Sequence, residues 1–147
     1  MKIKIAVNKQ CKNKSTQPAH DWQNIYESLD WLKGWVSAGY GWTATHFIDR
    51  HRRADNACGS NLIVIDFDGD TTLEKFWECD TAKQWCALTY TSSSHTKREH
   101  RFRAIFPLEI ELKSAGQHKG AYWLIVNRLL QELQLAELKD NCGQKRE

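Results

Sequence analysis

No apolar run in this chain approaches the roughly 18 residues that read as a membrane span, and the N-terminus lacks the apolar block of a secretory signal. No membrane partner is expected. The five cysteines (Cys11, Cys58, Cys79, Cys86, Cys142) are odd in number and lack CxxC spacing, which argues against a disulfide framework or a zinc ribbon. They read as reduced thiols in a cytoplasmic protein. His46, His51 and Cys58 are too loosely grouped for zinc-ligand spacing. Charge of one sign is scarce as well: the net charge is only +3, which permits nucleic-acid binding without arguing for it. Internal repeats and low-complexity tracts are missing, and there are only two prolines.

What remains is an ordinary globular composition with seven tryptophans, and 147 residues suit a single domain. The pattern divides it into an N-terminal αβ unit over residues 1–60 and a second half over 61–147. Lys2 to Val7 alternates Lys with apolar residues and reads as a half-exposed strand. Asn8 to Ala19 reads as a loop. Asp21 is a candidate cap for a helix with Trp22, Ile25, Tyr26, Leu29, Leu32 and Val36 at helical spacing, and Trp31 and Trp35 widen its core face. Gly39 and Gly41 end it. A basic segment follows, with Arg50, Arg52 and Arg53.

The chain then reaches Leu62-Ile63-Val64-Ile65-Asp66-Phe67-Asp68-Gly69-Asp70. Residues two apart in a strand share a face, so Asp66 and Asp68 should stand side by side with Phe67 turned away. Adjacent carboxylates repel, and a hard divalent cation such as Mg²⁺ or Mn²⁺ relieves the repulsion. A solvated turn that merely ends the strand is the plain alternative. Thr71 or Thr72 caps a short helix, Asp80 to Lys83 reads as a turn, and Trp85 to Tyr90 as a buried strand. Next comes the hydroxyl- and cation-rich loop Thr91 to His100, including Ser93, His95, Lys97 and Arg98. The strand Arg101 to Phe106, closed by Pro107, places Arg101 and Arg103 on one face. Ser114 starts a last helix with Tyr122, Leu124, Ile125, Leu129, Leu130 and Leu133 on its apolar face. This order predicts an α+β fold with a mostly antiparallel sheet and helices packed on it. A carboxylate pair, a Ser/His loop and two strand arginines together describe a metal-dependent nucleotidyl-transfer site.

Ile63 to Asp68 resembles the first motif of the archaeo-eukaryotic primase superfamily, a hydrophobic strand followed by DxD. Ser93-Ser94-His95 resembles its second motif, S-x-H, and the flanking Leu88 to Thr96 and Arg101 to Leu108 are similar to primase-polymerase domains of plasmid and phage replication proteins. The resemblance covers about Thr43 to Leu108. It implies an RRM-like sheet joined to an N-terminal αβ unit, and template-dependent nucleotidyl transfer in DNA replication. Asp66 and Asp68 would hold Mg²⁺ or Mn²⁺. Ser93, His95, Arg101 and Arg103 would hold the nucleoside triphosphate. Arg52, Arg53, Lys97 and Arg98 would contact a single-stranded DNA template. A replicative helicase, as domain or partner, is a further expected associate. The family's third motif is a hydrophobic residue followed by Asp. Its only candidate here, Leu138-Lys139-Asp140, interposes a lysine, so Asp140 is the candidate third metal ligand, Asp70 substitutes only if its turn folds it back towards the site, and the chain reads as the front part of such a module.

Two other readings compete. Ile65 to Thr71 also resembles the DxDG-x-T signature of haloacid-dehalogenase-type phosphatases, with Asp66 as nucleophile and Asp68 as acid/base. That fold needs a parallel sheet, so the direction of the strands flanking Asp66 discriminates. The third reading is a nucleic-acid-binding fragment without catalysis.

Overall fold

The computed structural model describes residues 1–12 and 18–139. Asp140, the candidate third acid, lies outside them. The fold is mixed α+β with two antiparallel sheets and helices packed on them. The chain divides into two compact units, Met1–Leu62 with Leu108–His118, and Ile63–Pro107 with the residues from Lys119 onward. Among the described residues, no helix is long and apolar enough to cross a membrane.

In the first unit, β1 (Ile3–Lys12) is flanked antiparallel by β2 (Gln23–Glu27) and β3 (Tyr40–Thr43). Strand β1 is longer than the Lys2–Val7 pattern suggests and buries Ile3, Ile5, Ala6 and Val7. Lys4 lies between these buried neighbours and pairs with Glu111. The helix expected from Asp21 is a strand for its first part. Helical spacing of Trp22, Ile25 and Tyr26 loses there to pairing of β2 with Ile3–Val7, and Asn24 locks the strand by exchanging side-chain bonds with the Phe47 backbone. Asp21 itself sits at φ 65°, not at a helix cap. The helix α1 (Leu29–Ser37) instead starts at Ser28, whose hydroxyl accepts from the Trp31 N–H. Gly39, at φ 83°, ends it in the left-handed conformation as expected, its N–H donating to the Val36 carbonyl. Of the helix's aromatic residues, neither is in the core: Trp31 and Trp35 are half-buried and stack on each other at 5.0 Å, with Tyr40 continuing the stack at 4.8 Å. Trp22 is the core tryptophan, packed with Ala6, Cys11 and Phe47.

The second sheet has the order β4-β5-β7-β6, from β4 (His46–Phe47), β5 (Ala57–Asp68), β6 (Leu88–Thr91) and β7 (Arg101–Leu112). Strands β5 and β7 each continue from one unit into the other. Thr72 caps α2 (Leu73–Glu78) through its hydroxyl, as expected. Residues read as a turn from Asp80 form α3 (Asp80–Trp85), whose buried Thr81 and Ala82 lock it inward, with the Thr81 N–H donating to Glu132. Pro107 does not close β7. The strand's pairing with β6 ends at Ile105, so a residue without N–H two positions further leaves no β6 partner unsatisfied. Helix α4 (Ala115–Leu133) begins after Ser114, whose hydroxyl accepts from the Gln117 N–H. Its inner face is Tyr122, Ile125, Val126, Leu129 and Leu130, whereas Leu124 is exposed.

The core of the second unit is aromatic. Phe67 of β5 stacks on Phe102 of β7 at 4.7 Å and 11°, and Phe76 of α2 meets both edge-on at 5.2 and 5.4 Å. Each of these rings is at most 2% exposed. Phe102→Ala is expected to cost about 3–5 kcal/mol in urea denaturation, and Phe102→Leu less than half of that. Among the described cysteines, Cys58 is exposed, whereas burial pushes the Cys86 thiol up to about 11. At pH 8 an alkylating reagent should therefore modify Cys58 well before Cys86, read site by site by mass spectrometry.

Candidate phosphate and metal site

The period-2 alternation that turns Phe67 into the core sends Asp66 and Asp68 to the opposite face of β5. Asp66 meets Arg103 of β7, and Asp68 meets Arg101. Residue numbers rise on one strand as they fall on the other, so the strand beside Asp66 is antiparallel. The Arg103 fork is bidentate: Nε donates to Asp66 Oδ1 and Nη2 to Oδ2 at 3.2 Å. Its Nη1 donates to the Tyr90 hydroxyl at 3.0 Å, and the guanidinium lies 5.8 Å from the centre of the Tyr90 ring. Burial pulls the Arg103 pKa down, but hydrogen bonds and charge from Asp66 and Tyr90 outweigh it and hold the guanidinium above its ordinary value. Arg101 Nε lies 2.9 Å from Asp68 Oδ1, and its Nη2 lies 3.1 Å from Glu99. Asp66 is the more sheltered carboxylate, 22% exposed against 41% for Asp68.

The S-x-H loop closes onto the same strand. The Ser92 N–H donates to the Arg101 carbonyl, and the His95 N–H to the Ser92 carbonyl. His95 Nδ1 accepts from the Arg101 N–H at 3.2 Å. A neutral imidazole that accepts at Nδ1 carries its proton at Nε2, so His95 presents an N–H donor away from the backbone. Ser93 is exposed on this loop. The carboxylate pair, the histidine and the two arginines, 37 residues apart at the Asp66–Arg103 pair, thus meet within one compact unit.

The remaining sequence candidates fall elsewhere. Lys97 and Arg98 are exposed beyond His95. Arg52 and Arg53 belong to the first unit, where Arg52 lies over the Trp22 ring at 5.3 Å and Arg53 is 3.7 Å from Asp55. Three participants carried no clear signal in the sequence. Tyr90 holds Arg103, Glu99 holds Arg101, and His100 ties the loop to α2 by accepting at Nδ1 from the Leu73 N–H. Tyr90 reads only as the end of a buried strand, and the other two lie in a polar loop whose shape is set by tertiary contacts.

Asp70 does not join the pair. Its Oδ2 accepts from the Asp68 N–H at 2.9 Å and its Oδ1 from the Lys139 N–H at 2.8 Å, so it closes the turn. Gly69 makes that turn possible. It sits at φ 78°, and a Cβ there would come within 2.9 Å of Glu99. Among the described residues, no group of three or more His, Cys, Asp or Glu side chains surrounds one point. Two adjacent carboxylates still fit the mode in which Mg²⁺ takes one or two protein carboxylates and completes its shell with water and substrate phosphate. Both carboxylates are, in this structure, paired with arginine. No protein-family model matches the chain, and neither a curated protein nor a solved structure is significantly similar to it.

If Asp70 is a turn lock, Asp70→Ala should lower stability by about 1–2 kcal/mol in urea denaturation, because two backbone donors lose a charged acceptor. A loss below about 0.5 kcal/mol, the range of an ordinary surface change, would show a merely solvated side chain.

Proposed function

We propose that the chain is a primase-polymerase-like nucleotidyl transferase, acting on nucleoside triphosphates along a single-stranded DNA template. The observation that carries this reading is the meeting of Asp66 and Asp68 with Arg101, Arg103 and His95 on one sheet face and its adjoining loop. The carboxylates supply hard oxygens. The guanidinium forks and the His95 Nε2–H supply the donors that a triphosphate requires. Ser93, exposed on the loop, would add a hydroxyl. Asp66 and Asp68 would hold Mg²⁺ or Mn²⁺. Such an ion, when bound, lowers the pKa of an attacking 3′-hydroxyl and neutralises charge developing at phosphorus.

The protein's own part in transfer is electrostatic and positional. Arg103, held through Nη1 by the Tyr90 hydroxyl, orients the phosphate that it takes up. Arg101 neutralises the neighbouring phosphate oxygens, and the His95 N–H orients them. Arg52, Arg53, Lys97 and Arg98 are the candidates for template backbone contacts. The antiparallel neighbour of Asp66 supports this reading over the phosphatase one, which calls for a parallel sheet around its nucleophile.

Template-dependent primer synthesis with Mg²⁺ or Mn²⁺ tests the proposal. Wild type should extend or initiate strands, and Asp66→Ala/Asp68→Ala should lose activity by about 10³-fold or more, since each removed group acts in the transition state. Wild type without product at any metal concentration, but with metal-independent DNA binding unchanged by Asp66→Ala, would favour the non-catalytic nucleic-acid-binding reading.

A further inference from the structure

The donors that a triphosphate needs and the acceptors that a metal needs are here bound to each other. Arg103 uses Nε and Nη2 on the two oxygens of Asp66, and Arg101 is ion-paired with Asp68, its Nε 2.9 Å from Oδ1. We propose that Arg101 and Arg103 form a polyphosphate site that Asp66 and Asp68 close in the free protein, and that the same pairing keeps a divalent cation off the carboxylates until a polyphosphate takes the arginines. This rests on the nucleotidyl-transfer reading and specifies how that site fills.

The physical reason is competition for one planar fork. A guanidinium fork matches phosphate as well as carboxylate, so a polyphosphate can replace Asp66 at Arg103 without loss of hydrogen bonds at the arginine. Replacement at both arginines takes those two counter-charges from adjacent carboxylates, next to an incoming anion. A cation at that point repairs both repulsions. Conversely, a cation arriving alone has to break two ion pairs, leaving Arg103 without its carboxylate and Arg101 with Glu99 alone. Each ligand therefore binds weakly alone and strongly with the other. Such coupling is reciprocal and commonly amounts to about 5–150-fold. The pairs are accessible enough to exchange: the Arg101 and Arg103 side chains are 36% and 39% exposed. Tyr90 and His95 remain in place during the exchange, because they bind Arg103 Nη1 and the Arg101 backbone, atoms that the carboxylates do not use.

Single-ligand titrations avoid direct chelation of metal by phosphate. Arg103→Gln should bind Mn²⁺, followed by the resonance of the free ion, about tenfold tighter than wild type with no anion present. Arg103→Lys keeps the charge but lacks the fork, and should show a smaller gain in the same direction; it also serves if Arg103→Gln fails to fold. In chelator and without metal, Asp66→Asn should bind tripolyphosphate about tenfold tighter than wild type by calorimetry. Running ATP beside tripolyphosphate separates the phosphate tail from base and sugar. A gain with ATP but none with tripolyphosphate would overturn the polyphosphate assignment. Folded Arg103 variants that bind Mn²⁺ no tighter than a wild type active in primer synthesis would overturn the closure and leave nucleotidyl transfer standing. If no variant binds Mn²⁺ or ATP, alone or together, both fail.

Discussion

The register between Asp66's strand and Arg103's strand is the constraint on which the second unit depends. One pairing serves two faces at once. On the inner face it stacks Phe67 on Phe102 and lets Phe76 close against both. On the outer face it sets Asp66 against Arg103 and Asp68 against Arg101. A slip of one residue would exchange the faces, driving carboxylates into an aromatic core and phenyl rings into water. The hydrophobic pattern therefore holds the charged ladder in place, and the ladder costs the core nothing.

That ladder also explains how a cluster of charges is accommodated at a strand end. Asp66 and Asp68 would repel one another if left bare, but each faces a guanidinium, and Asp70 is turned back to cap the turn at Gly69. The surrounding loop is ordered by the same economy of donors and acceptors. His95 accepts from the Arg101 backbone and His100 accepts from the first residue of α2, with their rings 4.8 Å apart. The result is a polar site whose positions are set by backbone bonds while its ionic partners remain exchangeable.

Much of this second unit was legible in the sequence. Alternation in Leu62 to Asp68 and Arg101 to Phe106 assigned the faces correctly, because a half-buried strand imposes period 2 on its residues. Thr72 and Ser114 marked helix starts for a local reason, the need of free N–H groups for an acceptor. The first unit was less legible. Trp22, Ile25 and Tyr26 kept helical spacing in a segment that pairs as a strand with Ile3–Val7, because a five-residue segment follows its neighbours more than its propensity. Trp31 and Trp35 were expected in the core from their apolarity, yet large aromatic rings can satisfy each other at a surface. Pro107 looked like a strand end because the absence of a β6 partner beside it cannot be read locally.

The sequence by itself determined which residues could share a face, where two helices begin, and which residue types suit phosphate and divalent metal. Those properties follow from local geometry and side-chain chemistry. Only the tertiary structure decided that Asp66 and Asp68 are bound by Arg103 and Arg101, that Tyr90 and Glu99 hold those arginines, and that Asp70 closes a turn. Ion-pair partners 33 and 37 residues apart are chosen by strand register, and register is a property of the packed core rather than of either strand alone.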